Sequence, residues 1–146
     1  MKIIAVSGSV GTGKTTIAKK LAKSLNANYI NITEFVKKNK LGKYNKKYDA
    51  YDVDIKILNK ALIKIIKNTK KNLVIDGHLS HFIPKKYIDL CIICKCDIKK
   101  LKKRLEKRGY SKAKIRENLD VEIFDIPLLE AQKLKHKIKI IDTSKK

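Results

Sequence analysis

The chain has 146 residues, with 36 lysines and arginines against 14 aspartates and glutamates, for a formal net charge of +22. That length suits one domain over residues 1–146, with a real core and little room for insertions. No stretch approaches the run of about 20 apolar residues that a membrane span needs, and the N-terminus reads as a core strand, not a targeting segment. Such a charge has two readings. A basic surface suits RNA or a ribosomal particle through counterion release; alternatively, a biased genome or a hot habitat loads solvated helix faces with lysine. The lysines are spread along the chain and not gathered in a block, which favours the second reading.

Lys2-Ile3-Ile4-Ala5-Val6 is a short apolar, β-branched run of the kind that forms a buried parallel strand. Gly8-Ser9-Val10-Gly11-Thr12-Gly13-Lys14-Thr15 follows it and fits G-x-x-x-x-G-K-[ST], the phosphate-binding P-loop. Ile17, Ala18, Leu21, Ala22 and Leu25 then recur at helical spacing, with lysines between them. Strand, glycine loop and helix together are what phosphate binding requires. Glycines let main-chain N–H groups turn inward on the anion, and the helix N-terminus adds partial positive charge. Lys14 would reach the β- and γ-phosphates of a bound nucleotide, and the Thr15 hydroxyl would ligate Mg²⁺.

Asn28 to Ile32 predicts a second strand, and Thr33 offers an N-cap for a brief helix to about Lys40. Residues 41–51 form a polar, basic loop carrying Tyr44, Tyr48 and Tyr51, rings suited either to stacking a base or to filling gaps beneath the loop. Asp54 begins an amphipathic helix whose apolar face is Ile55, Leu58, Leu62, Ile65 and Ile66. Residues 32–69 thus read as two helices joined by an aromatic loop.

Leu73-Val74-Ile75 ends in Asp76-Gly77-His78, the Walker B arrangement, in which the carboxylate holds Mg²⁺ through its water. His78 is a candidate for orienting water or a phosphoryl acceptor; His81 is a weaker one. Cys91, Cys94 and Cys96 fall in one strand, which places Cys91 on the face opposite Cys94 and Cys96. That geometry opposes a zinc knuckle and reads as buried, reduced thiols in an intracellular, cytoplasmic protein. Asp97 starts a helix with Ile98, Leu101 and Leu105 on its core face. Arg104 and Arg108 lie four residues apart and point to one side. With Arg116 they are the only arginines in the chain, and a chain that otherwise uses lysine keeps guanidinium for bidentate phosphate clamping. Gly109-Tyr110-Ser111 interrupts that helix; another runs from near Lys112 to about Lys135 with a kink at Pro127, and Ile138, Ile140 and Ile141 form a last strand.

Three marks together resemble the atypical adenylate kinase family of archaea and eukaryotic nuclei. They are the P-loop with its doubled Thr15-Thr16, the phrase Asp76-Gly77-His78, and the run Arg104-Leu105-Glu106-Lys107-Arg108-Gly109-Tyr110. The last continues through Lys112, Lys114, Ile115, Glu117 and Asn118 to Glu122-Ile123-Phe124. The resemblance covers almost the whole chain. It implies a three-layer α/β/α nucleoside monophosphate kinase fold on a five-stranded parallel sheet. It also implies transfer of the γ-phosphoryl of Mg-ATP to AMP or a related monophosphate, ATP hydrolysis in small ribosomal subunit maturation, and a small-subunit ribosomal protein and rRNA as partners. By the same resemblance Gly11, Gly13, Lys14, Thr15 and Thr16 would bind the ATP phosphates and magnesium, and residues 31–54 would be the monophosphate-binding part, with Thr33, Lys37 and Tyr51 as acceptor contacts. Residues 107–117 would be a small lid, with Arg108 as its arginine beside Arg104, and Lys14, Asp76, His78 and Arg108 would carry catalysis.

Three departures accompany it. Lys37 stands where the family often has arginine, giving a point charge in place of a fork. His78 occupies the region where ordinary adenylate kinases place an arginine after Asp-Gly-Phe-Pro. The chain stops soon after Ile140-Ile141-Asp142-Thr143-Ser144, where relatives commonly add a helix that bears on adenine enclosure and one sheet face.

A monophosphate acceptor is already anionic near neutral pH and needs no strong base, only alignment and charge neutralisation. An alcohol kinase would want a carboxylate near the attacking hydroxyl, and Asp49, Asp52 and Asp54 keep that rival open. A GTPase is disfavoured: Asn45-Lys46-Lys47-Tyr48 is not Asn-Lys-x-Asp, and Asp76-Gly77-His78-Leu79 lacks the switch-loop glycine. The rival of another class is an assembly factor that binds a ribosomal protein or rRNA and uses ATP to leave.

Overall fold

Apolar runs separated by helical periods dictate an alternating β/α chain, and the computed structural model, which describes residues 1–48 and 50–144, has that order. In sequence it runs β1 (Ile3–Gly8), α1 (Lys14–Ser24), β2 (Asn28–Asn31), α2 (Ile32–Asn39), β3 (Gly42–Asn45), β4 (Ala50–Val53), α3 (Ile55–Asn68) and β5 (Leu73–Asp76). Two short 3-10 turns precede β6 (Leu90–Lys95), α4 (Ile98–Lys107), α5 (Lys112–Ile123), α6 (Ile126–Lys133) and β7 (Ile138–Asp142). Five strands form one parallel sheet in the order β2-β5-β1-β6-β7. The register sets Val6 against Asp76 and Asn31 against Asp76, so the C-terminal ends of β1, β2 and β5 meet at one edge. Ligands of open α/β sheets bind at that edge, beside the strand where the winding reverses.

Strand alternation sends Ile3, Ala5, Leu73, Ile75, Cys91 and Ile93 to one face, where Leu58 and Leu62 of α3, Val36 of α2 and Ala131 of α6 cover them. Ile4, Val6, Val74, Ile92 and Cys94 face the other way, under Ala18 and Ala22 of α1. Leu58 and Leu62 are fully buried, each contributing roughly 1.5–3 kcal/mol of burial. A third cluster joins Leu101 and Leu105 of α4 to Cys96, with Val10, Tyr110, Ile115 and Leu119 packed against them. Cys91 and Cys94 do lie on opposite faces; Cys96 lies past the end of β6 and joins this third cluster. All three cysteines are free and buried.

The structure corrects three expectations. Residues 41–51 are not a plain loop: β3 and β4 pair antiparallel, with Tyr44 opposite Tyr51. Their rings meet edge to face at 5.6 Å, and this cross-strand pair stabilises a hairpin that the many lysines obscure. The N-cap of α2 is Asn31, whose side chain accepts from the Glu34 N–H at 3.0 Å, leaving Thr33 exposed in the first turn. The helix expected over 112–135 is two helices, broken where Asp125 adopts a left-handed conformation with φ of 51°. Pro127 therefore starts α6 and kinks nothing, a position where its missing N–H costs no hydrogen bond. Among the described residues no helix is long and apolar enough to cross a membrane.

Candidate active site

The loop between β1 and α1 has the shape phosphate binding needs because two glycines admit what a side chain would forbid. A Cβ at Gly8, at φ of 139°, would lie 2.5 Å from the Cys94 carbonyl oxygen. At Gly11, at φ of 86°, a Cβ would lie 2.9 Å from Leu105 and 3.0 Å from Leu101. Side chains brace the loop from outside. Thr12 Oγ1 donates to the Ser9 carbonyl at 2.7 Å, and Arg104 donates to the Gly11 carbonyl at 3.3 Å. Arg104 also donates to the Thr143 carbonyl at 2.7 Å, and the Thr143 hydroxyl donates to the Thr12 carbonyl. Arg104 is thus a strut that ties the loop to the segment after β7, besides lining the nucleotide side.

Lys14 folds back on its own loop, its ammonium 2.9 Å from the Ser9 carbonyl. Loss of water around it pushes its pKa down to about 8, against the opposing pull of the Asp76 carboxylate. Three donors converge on one oxygen of Asp76: Tyr29 O–H at 2.5 Å, Thr15 Oγ1 at 2.8 Å and Asn31 Nδ2 at 3.3 Å. Tyr29 is pushed up to about 12 by burial and by that bond. Sequence reading missed Tyr29 and Asn31. The signal was register, since β2 lies beside β5 with Asn31 level with Asp76.

The donor set fits Mg²⁺ with ATP. Thr15 and Asp76 offer hard oxygen, an ion that keeps most of its waters needs few protein ligands, and Gly8 and Gly11 let the loop pack closely on Cys94, Leu101 and Leu105 behind it. A recess of about 360 Å³ opens beside it, lined by Gly11, Gly13, Thr16, Arg104, Arg108 and Thr143. Larger hollows of about 650 and 610 Å³ flank α3, but their walls are lysine, asparagine and isoleucine, without a carboxylate or glycine cradle.

His78 follows Asp76 by two residues and is exposed, yet protein crowds one side of its ring. Surface access and crowding pull in opposite directions on the size of the effect. Crowding, with the positive charges of Lys14, His81 and Lys114 added, still lowers its pKa from the ordinary value and leaves it neutral at pH 7. His81 has a different role. It is buried, with Nδ1 bonded to Ser7 Oγ at 2.7 Å and Nε2 to Glu130 at 3.0 Å, joining β1 to α6.

The residues expected to form a lid and an acceptor site are more exposed. Arg108 is exposed, and its guanidinium donates to the Tyr110 hydroxyl at 3.3 Å. Lys37, also exposed, lies 5.7 Å from the Tyr51 ring centroid. Ser111 Oγ reaches the Lys47 carbonyl at 3.4 Å, bringing the start of α5 against the hairpin turn. Of the three carboxylates that kept an alcohol kinase open, Asp54 caps α3 and Asp52 is exposed beside Asn45; Asp49 lies outside the described residues. A further link went unforeseen. Glu122 of α5 is buried and accepts from Ser9 Oγ at 2.9 Å and from the Cys96 N–H at 2.8 Å, with Lys95 at 3.7 Å. It fastens α5 to the P-loop.

A parallel sheet whose first strand feeds a glycine cradle, lysine and threonine, with an aspartate on the neighbouring strand, is the construction of a P-loop phosphotransferase. The AAA domain family matches residues 4–125. A Pyrococcus furiosus protein with the printed name "Putative adenylate kinase" is 40% identical over 144 residues, covering 99% of this chain and 76% of the relative. One of the same name from Methanocaldococcus jannaschii is 42% identical, covering 97% and 76%. An "Adenylate kinase isoenzyme 6 homolog" of Caenorhabditis elegans is 33% identical, covering 88% and 71%. A shikimate kinase from Acinetobacter baumannii shares the fold with a TM-score of 0.66 at 12% identity, covering 95% of this chain and 83% of that one. The chain belongs to the adenylate kinase-like family of P-loop kinases.

Proposed function

We propose that this protein transfers the γ-phosphoryl group of Mg-ATP to AMP or a related nucleoside monophosphate. The observation that carries the reading is the meeting, at one sheet edge, of the glycine cradle with Lys14, the Thr15–Asp76 pair, and a lid whose Ser111 touches the tyrosine hairpin. ATP phosphates lie along the main-chain N–H groups of Gly11 to Thr16, with Lys14 leaving the Ser9 carbonyl to meet them. Thr15 and, through water, Asp76 would hold the Mg²⁺, which would supply neutralisation of phosphate charge. Arg104 and Arg108 line the nucleotide recess, and Arg108 swings from Tyr110 onto the moving phosphoryl. Residues 31–54 hold the acceptor, with Thr33, Lys37 and Tyr51 facing it, and residues 107–117 close over both substrates. Asp54 is occupied as the cap of α3, which fits an acceptor that needs no base.

Incubation with Mg-ATP, with and without AMP, tests this. One AMP consumed per two ADP formed supports the kinase; no AMP-dependent ADP overturns it. A second reading, in which the protein hydrolyses ATP as a cytoplasmic assembly factor of the small ribosomal subunit, bound to one of its proteins and to rRNA, is favoured by the neutral His78 beside Asp76. Such a ring can orient water. Phosphate release without acceptor, together with rRNA affinity that falls steeply with salt, would support it; salt-independent affinity would count against the RNA contact.

A further inference from the structure

A buried carboxylate keeps its charge where donors replace its lost water. Asp76 is 1% exposed, and its three donors all take the same atom, Oδ2: Tyr29 O–H at 2.5 Å, Thr15 Oγ1 at 2.8 Å and Asn31 Nδ2 at 3.3 Å. Each oxygen of an ionised carboxylate offers about two lone pairs. Tyr29 and Thr15 therefore fill Oδ2, and Asn31 crowds it further. Among the described residues none donates to Oδ1. The asymmetry is built into β2. Tyr29 and Asn31 stand two residues apart on that strand and so share the sheet face that carries Val74 and Asp76. Asn31 lies level with Asp76, whereas Tyr29 lies level with Val74 and reaches the carboxylate along a diagonal that an aromatic side chain can span. Both donors are themselves held. The Asn31 side-chain oxygen caps α2 by accepting from the Glu34 N–H, which turns its amide nitrogen toward Asp76. The Tyr29 ring packs against the core cluster beneath α1, with the Lys19 ammonium 6.0 Å from its centroid.

We infer that Tyr29, supported by Asn31, is a positioning residue: it occupies Oδ2 of Asp76 so that the carboxylate offers a hydrated cation one free oxygen, Oδ1, and thereby favours Mg²⁺ over Ca²⁺. The inference rests on the part of the proposed function in which Mg²⁺ and a nucleoside triphosphate share the cradle, and not on the identity of the acceptor. Thr15 gives its proton to Oδ2 and keeps lone pairs of its own oxygen with which to ligate. Tyr29 and Asn31 act through the carboxylate instead. Mg²⁺ sheds its waters reluctantly, so one oxygen that accepts from a bound water serves it. Ca²⁺ takes carboxylates directly and often through both oxygens. A carboxylate with one oxygen already filled suits the first ion and denies the second a bidentate grip. Partners that orient a ligand from behind contribute about 10–100-fold to metal affinity.

The test compares wild type with Tyr29→Phe, Asn31→Ser and the control Tyr87→Phe, which loses a phenol hydroxyl in the turn before β6. Calorimetry gives the affinity for a non-hydrolysable ATP analogue in Mg²⁺, in Ca²⁺ and in chelator. The ratio of affinity with metal to affinity in chelator isolates what the ion adds. Tyr29→Phe should lose about tenfold of the Mg²⁺ ratio while its affinity in chelator stays within about twofold of wild type. Its Ca²⁺ ratio should hold or rise. Asn31→Ser keeps a side chain able to cap α2 and should move the same way by about threefold, since its bond is the longer one. Tyr87→Phe should leave both ratios as they are. In Tyr29→Phe, Mg²⁺ and Ca²⁺ ratios that fall together, or a Mg²⁺ ratio within about twofold of wild type, overturn the inference. A lowered melting temperature with unchanged ratios does so too, because it assigns the phenol to stability alone. If Tyr29→Phe does not fold, Asn31→Ser is judged by the direction of the same two ratios; if neither folds, both side chains are fold determinants and the inference is overturned. Wild type that fails to bind the analogue, or binds it no better with Mg²⁺ than in chelator, brings down the Mg-nucleotide reading and this inference with it. Wild type that gains from Mg²⁺, beside a Tyr29→Phe protein that gains as much, sinks the inference alone.

Discussion

The glycine loop and the β3–β4 hairpin sit on the same edge of the molecule and are built on opposite principles. The loop is main chain, cross-braced by Thr12, Arg104 and Thr143 and backed by fully buried Leu101 and Leu105. The hairpin has four-residue strands, one aromatic pair and a lysine over a ring, and none of its strand residues is fully buried. A phosphate cradle must present N–H groups already aimed, because reorganising them during the reaction would forfeit their stabilisation. An acceptor site must admit and release a substrate on each turnover, and elements of low local stability do that. The contrast predicts all-or-none effects in the loop and graded ones in the hairpin and lid.

The largest effect should come from Lys14→Ala, with turnover down roughly 10³-fold or more, in kinase and hydrolysis assays alike; residual activity within tenfold would break the contrast outright. Arg108→Ala should lower kcat about 100-fold and ATP affinity far less, because charge on the moving phosphoryl peaks at the transition state. Equal losses in kcat and binding would place Arg108 on the ground state. Glu122→Ala leaves Ser9 Oγ and the Cys96 N–H without their acceptor, and urea melts should show about 2–4 kcal/mol lost, with Glu122→Gln recovering part. On the hairpin side, Lys37→Arg should tighten acceptor KM only about threefold by supplying a fork for a point charge; an unchanged KM would remove Lys37 from the acceptor site.

The smallest predicted effect concerns pH. Burial lowers the His81 pKa below its ordinary 6.5, against the raising influence of Glu130 and alongside the lowering one of His136. The unfolded chain therefore binds more protons, and stability should fall as pH drops through 6.5 toward 5. Glu130 and His136 are the titratable groups that act on the ring, and His136 Nε2–H donates to the His81 carbonyl at 2.8 Å. Thermal melts of wild type and His81→Phe between pH 5 and 8 should show a shallower acid slope in the variant. Parallel slopes would assign the acid limb to other groups.

The strands, α1, α3 and α4 were readable because their information is local: period-two and period-3.6 patterns, Asp54 and Asp97 as caps, glycines before Lys14. The hairpin at 42–53 was not readable. Lysines at exposed strand positions dilute the alternation, and the Tyr44–Tyr51 contact is visible only once the chain has turned. The break at Asp125 was hidden for a similar reason. The proline two residues later drew attention away from a left-handed aspartate, whose carboxylate pairs with Lys95 on β6.

Around the candidate site, the glycine loop from Gly8 to Thr15 and the strand-terminal Asp76 could be placed in advance because each is a short word of sequence. The neighbours Tyr29 and Glu122 could not. Their partners lie 47 and 113 residues away. The sequence by itself determined where the glycine loop lies and what shape it takes, since backbone conformation near glycine is a local property. Which charges surround the cradle was decided by tertiary structure, because electrostatic interaction depends on distance through space and on lost water, and neither is set until the helices pack.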